Sequence, residues 1–114
     1  MGYSAIGEKL DAVEIREDSD KIIKWHGVNL PVIFESVGFF SALGFQLDVF
    51  DIAEIRGGEI IVDLNVPLPE RYNAQYDLVV DAGTCEHCFN IGQAMINLAS
   101  MVKAGGHLVQ VFPL

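Results

Sequence analysis

Positive charge is scarce in this sequence. Seven Lys and Arg residues stand against sixteen Asp and Glu in 114 residues, a net charge of −9. A duplex phosphate backbone is held by basic side chains, so this balance argues against a nucleic-acid partner and against an anionic membrane surface. It leaves open a small anionic or zwitterionic ligand held by backbone amides. Long apolar runs are absent too, and none approaches the length of a membrane span. The N-terminus lacks a basic start followed by a hydrophobic signal region. The expectation is a cytoplasmic protein with no membrane partner. Cysteine is limited to Cys85 and Cys88, too close together to staple distant segments. There is no Asn-x-Ser/Thr sequon, no repeat and no linker-like stretch, so residues 1–114 read as a single domain.

What the sequence does have is hydrophobic content, 51%, enough for one domain with a modest core. Residues 75–114 are the stretch around which the rest is arranged. Leu78, Val79 and Val80, ended by Asp-Ala-Gly, suit a strand buried on both faces. Helical spacing follows. Ile91, Met95, Leu98, Ala99 and Val102 share one face, expected to be the core face, and Asn90, Gln93, Asn97 and Ser100 the other. Gly105 and Gly106 are expected to end that helix, with a strand after them. This is a βαβ pattern, whose ligand edge lies where strands end and helices begin. The turn from Asp81 to His87 therefore falls on the functional rim.

Upstream, Ser19 and Asp20 suit the start of a short helix reaching Trp25. Residues 33–43 carry apolar side chains at helical spacing, with Gly44 as a C-cap, and Phe39, Phe40 and Leu43 are expected to cover a sheet. Strands are expected at about 46–52, 59–63, 77–81 and 107–112, with Arg56-Gly57-Gly58 as a turn and residues 66–70, VPLPE, as a proline-stiffened loop. The fold class is α/β: a Rossmann-like, mainly parallel sheet of about four to five strands with flanking helices.

Three of those strands end in an acid, namely Asp51, Asp63 and Asp81. Aspartate favours turns for its own reasons. Three on one rim also suit a nucleoside, because ribose hydroxyls and an exocyclic amine donate hydrogen bonds that carboxylates accept.

With these residues in view, the chain resembles the class I S-adenosylmethionine-dependent methyltransferases, and within them a bacterial group with a GTLEHVFN-type segment. Here that segment is GTCEHCFN, residues 83–90, preceded by YDLVVDA and followed by KAGG at 103–106. The resemblance covers about residues 39–112. It implies S-adenosylmethionine as cofactor and methyl transfer to a small-molecule or glycan acceptor. It further implies that Asp51 holds the ribose, that Asp63 and Leu64 lie near the adenine, and that Asp81, Gly83 and Thr84 line the methionine side. The family's glycine-rich loop follows its first strand; no GxGxG occurs here, and Gly7, in Ala5-Ile6-Gly7-Glu8, is the best match. The last strands of the family fold are not present before Leu114, so an incomplete, truncated methyltransferase fold is expected.

Glu86 and His87 are the candidate catalytic residues, either able to take a proton from an acceptor hydroxyl. The Cys85-x-x-Cys88 pair has three readings: small apolar packing residues, a thioredoxin-like redox pair with a thiol pKa lowered by a helix N-terminus, or part of a metal site that lacks the ligands to complete four. Besides an active methyltransferase, two functions stay open. One is a non-catalytic module that forms a homodimer or docks on a partner through an exposed sheet edge at Val111 and Phe112. The other is a thiol redox protein.

Overall fold

The computed structural model describes residue 13 and residues 35–113. Gly7 and the helix expected near Trp25 lie outside the described residues. The chain divides into two compact units, Met1–Asp48 and Val49–Leu114.

In the first unit, helix α1 spans Ser36–Ala42. Glu35 caps it, its carboxylate accepting the Gly38 N–H at 2.8 Å. Gly44 closes the far end with positive φ, its N–H donating to Ser41 O at 3.0 Å. None of the helix residues is buried. Phe39 and Phe40 meet edge to face with ring centroids 5.5 Å apart, and Phe40 and Phe45 at 6.1 Å.

The second unit is α/β, with parallel pairing throughout its described strands. Strand β1, Phe50–Asp51, pairs with β2, Ile60–Ile61; strand β3, Tyr76–Asp81, pairs with β4, Val102–Gln110. These are two separate pairs, not one sheet of four to five strands. Side-chain acceptors form local turns just past each strand of the first pair. Asp51 Oδ1 accepts the N–H groups of Ile52 (2.7 Å) and Ala53 (3.4 Å), and Asp63 Oδ1 accepts that of Asn65 (2.9 Å). Those bonds close short turns at the strand ends. A cluster of rings packs between the two pairs: Phe50 meets Tyr72 at 5.2 Å and Tyr76 at 5.8 Å, both edge to face.

Helix α2, Ile91–Met101, connects β3 to β4. Its buried face is Ala94, Asn97, Leu98 and Met101, a repeat of three, four and seven residues. The expected face holds only in part: Leu98 is buried as expected, but Ile91, Met95 and Ala99 are exposed and Asn97 is buried. The core of the unit consists of Val79, Cys85, Ala94, Leu98 and Met101, with Phe50, Leu64, Leu68, Tyr72 and Tyr76 packed on it.

The helix ends earlier than its glycines. Strand β4 begins at Val102, directly after α2, and KAGG lies inside the strand. Tyr76 pairs with Val102 but Leu78 with His107, so residues 103–106 bulge out of register. Gly106 is required there, because a Cβ would lie 2.7 Å from Val102 Cγ1 and 2.8 Å from Asp77 O. Lys103 turns to Asp77, Nζ to Oδ2 at 3.6 Å. No helix among the described residues is long and apolar enough to cross a membrane.

Candidate functional site

A cleft of about 200 Å³ opens where the strand ends of the second unit meet the turn before α2. Asp51 reaches it as the last residue of β1, flanked by Phe50 and Ile52. Asp63, Leu64 and Asn65 reach it just past β2. Thr84, His87 and Cys88 come from the turn after β3, where Cys85–His87 form one turn of 3-10 helix. Five of the residues singled out from sequence thus line one cavity: Asp51, Asp63, Leu64, Thr84 and His87.

The others are placed differently. Asp81 is 4% exposed and faces its own turn, with Oδ1 accepting the Thr84 N–H at 2.8 Å. Its Oδ2 accepts the Cys85 N–H and Gln110 Nε2, each at 3.4 Å. Burial pushes this carboxyl up, but the bonds from Thr84, Cys85 and Gln110 outweigh it and hold the group below the ordinary carboxylate value. Asp81 therefore builds the turn and does not line the cleft. Gly83 allows the turn, with φ of 96°. Beneath it lies Glu86, whose Oε1 would stand 3.1 Å from a Cβ at Gly83. Glu86 Oε2 is buried and has no hydrogen-bond partner among the described residues, and Oε1 is 3.9 Å from His87 Nε2. Of the two candidate bases, His87 faces solvent at the cleft, its side chain 81% exposed.

Asp63 holds the cleft's lower edge. The backbone N–H of Asn65 and then its side-chain amide, at 2.9 and 2.8 Å, lower the carboxyl from its ordinary value. Asn65 also accepts the Asn90 N–H at 2.8 Å, which ties this edge to the start of α2. Asn90 caps that helix by accepting the Gln93 N–H at 3.2 Å.

The two thiols differ. Cys85 is fully buried in the core; burial, with the Asp81 carboxylate beside it, pushes its pKa up to about 12. Cys88 lines the cleft, its Sγ 3.8 Å from Thr84 O, and burial followed by Asp63, Asp81 and Glu86 raises its pKa. Both shifts run opposite to the one a nucleophilic redox thiol needs. Among the described residues, no group of three or more His, Cys, Asp or Glu side chains is placed to hold a metal ion.

Sequence reasoning did not single out Phe50, Ile52, Val62, Asn65 or the cleft position of Cys88. The signal for most was adjacency, because they flank the strand-end acids. Cys88 is four residues past Thr84, one turn on.

No family model, no curated protein and no solved structure matches this chain.

Proposed function

We propose that the cleft is a nucleoside site, that its ligand is S-adenosylmethionine, and that the unit is a methyltransferase on a Rossmann-like frame. The observation behind this reading is convergence. Asp51, Asp63 and Leu64, the residues assigned to ribose and adenine by resemblance, share one cavity with Thr84. Its walls alternate carboxylates with apolar side chains, the pairing a nucleoside needs: acceptors for hydroxyls and an exocyclic amine, and flat apolar surface for a base. At about 200 Å³, the cavity is smaller than the ~300–1,000 Å³ of typical drug-sized ligand sites. It suits the nucleoside portion, with the amino-acid tail running out along the turn.

The ligand supplies an electrophilic methyl group. The chain's own work is alignment, holding the nucleoside by Asp51 and Asp63, and proton removal from an acceptor hydroxyl by His87 at the rim. Calorimetric titration with S-adenosylmethionine and S-adenosylhomocysteine tests the proposal. Micromolar binding that weakens at least about tenfold in Asp51→Ala supports it. Absence of binding to both compounds overturns it.

A non-catalytic homodimer is the second reading, and one observation favours it. Leu78, Val80 and Val109 line the sheet face turned away from α2, at 43%, 53% and 45% exposure, with Val111 beyond β4 exposed as well. Parallel strands are ordinarily covered on both faces. A concentration-dependent dimer by light scattering, abolished in Val109→Lys, would support this reading.

A further inference from the structure

Asn97 stands on the inward face of α2, 3% exposed, among Ala94, Leu98 and Met101. A buried amide costs free energy unless its polar groups are bonded. Here its full capacity is used. Nδ2 donates to Leu64 O and to Val66 O, both at 2.9 Å. Oδ1 accepts the Leu68 N–H at 3.2 Å and Gln93 Nε2 at 2.9 Å.

Three of those four bonds go to one loop, residues 64–68. The loop's other hydrogen bonds run to Asp63 and Asn90, and Leu64 and Leu68 pack on the core. Pro67 carries no N–H, and the Val66 N–H turns back to Asp63 O at 3.4 Å. Asn65 makes the other tie to α2, through its bonds with Asn90. Leu64 and Asn65 at the start of the loop, with Asp63 just before it, form one wall of the cleft. A second wall, Thr84, His87 and Cys88, belongs to the turn that leads into α2, beside the β1 residues Phe50 and Asp51 and the adjoining Ile52. These two walls are therefore referred to the same helix, the first of them through Asn97 and through the Asn65–Asn90 bonds.

We propose that Asn97 is a positioning residue, which sets the spacing of the two cleft walls by suspending the 64–68 loop from α2. The ligand's identity rests on the nucleoside reading above; the positioning role does not. Purely structural importance would make Asn97 like Leu98, its buried neighbour, so Leu98→Ala is the control of comparable destabilisation.

Asn97→Ala and the milder Asn97→Ser, which keeps one donor and one acceptor, are compared with Leu98→Ala by amide exchange and by titration with S-adenosylhomocysteine. The expected result is exchange at Leu68 and Val66 faster by about tenfold or more, with Val79 and Val80 in β3 slowed or unchanged relative to Leu98→Ala. Binding weakens about tenfold in the Asn97 variants and stays near wild type in Leu98→Ala. The proposal is overturned if loop exchange rises no more than in Leu98→Ala, if ligand affinity is unchanged where wild type binds, or if neither Asn97 variant folds. Should wild type bind no ligand, the nucleoside reading fails and the exchange comparison alone decides this one.

Discussion

Asp81 Oδ1 accepts the backbone N–H of Thr84 at 2.8 Å, and this bond sets the turn from which the cleft's far wall is built. The carboxylate is buried, and its other oxygen accepts from Cys85 N–H and Gln110 Nε2. Asp81→Asn leaves the shape but replaces an acceptor oxygen with a donor facing donors. It should cost about 1–3 kcal/mol in urea unfolding. Because folding lowers this carboxyl, its contribution is complete above the unfolded value of about 3.9 and is lost as pH falls through the lower folded value. The wild type should lose stability on acidification below about pH 4 more steeply than Asp81→Asn. Parallel acid limbs in the two proteins would refute the assignment.

Gly106 has backbone on two sides of its missing side chain, Asp77 O and Lys103 O, besides Val102 Cγ1. Gly106→Ala must shift the bulge between β3 and β4, an overpacking cost of about 1–3 kcal/mol. Equal denaturation midpoints for variant and wild type would show that the bulge yields freely.

The buried face of α2 can be tested against the face expected from hydrophobicity. Met101→Ala empties a core position and should cost about 2–5 kcal/mol. Ile91→Ser, at an exposed position, should fall within about 0.5 kcal/mol of wild type. Comparable losses for the two would restore the expected face.

Cys85 is the thiol to follow at alkaline pH. Folding raises it from 9.0 to about 12, so its neutral form favours the folded state below the unfolded value. That stability is lost as pH rises from about 9 toward 12. Cys85→Ala should flatten this alkaline limb while costing core packing throughout. In native protein at neutral pH, an alkylating reagent should modify Cys88 slowly and before Cys85. Rapid modification of either, with a thiol pKa below that of free cysteine, would return the redox reading to first place.

By itself the sequence determined the local grammar. The β-branched run at Leu78 to Val80 was bound to be a strand, Gly44 to end a helix, and the residues after Val80 to turn, because these follow from backbone sterics and short-range hydrogen bonding. The strand-end pattern brought Asp51 and Asp63 forward, the turn before the helix His87, and the family resemblance Leu64 and Thr84; the tertiary structure gathers all five at one cleft. Only the tertiary structure decided which acid faces that cleft and which is spent on its frame. Asp81 looks like Asp51 in sequence, yet three donors claim it. The same holds for α2. Hydrophobicity put Asn97 toward water, but the carbonyls of Leu64 and Val66, more than thirty residues earlier, accept both hydrogens of its amide and hold it inward. Long-range hydrogen-bond demand has no local signature, so periodicity could not reveal it.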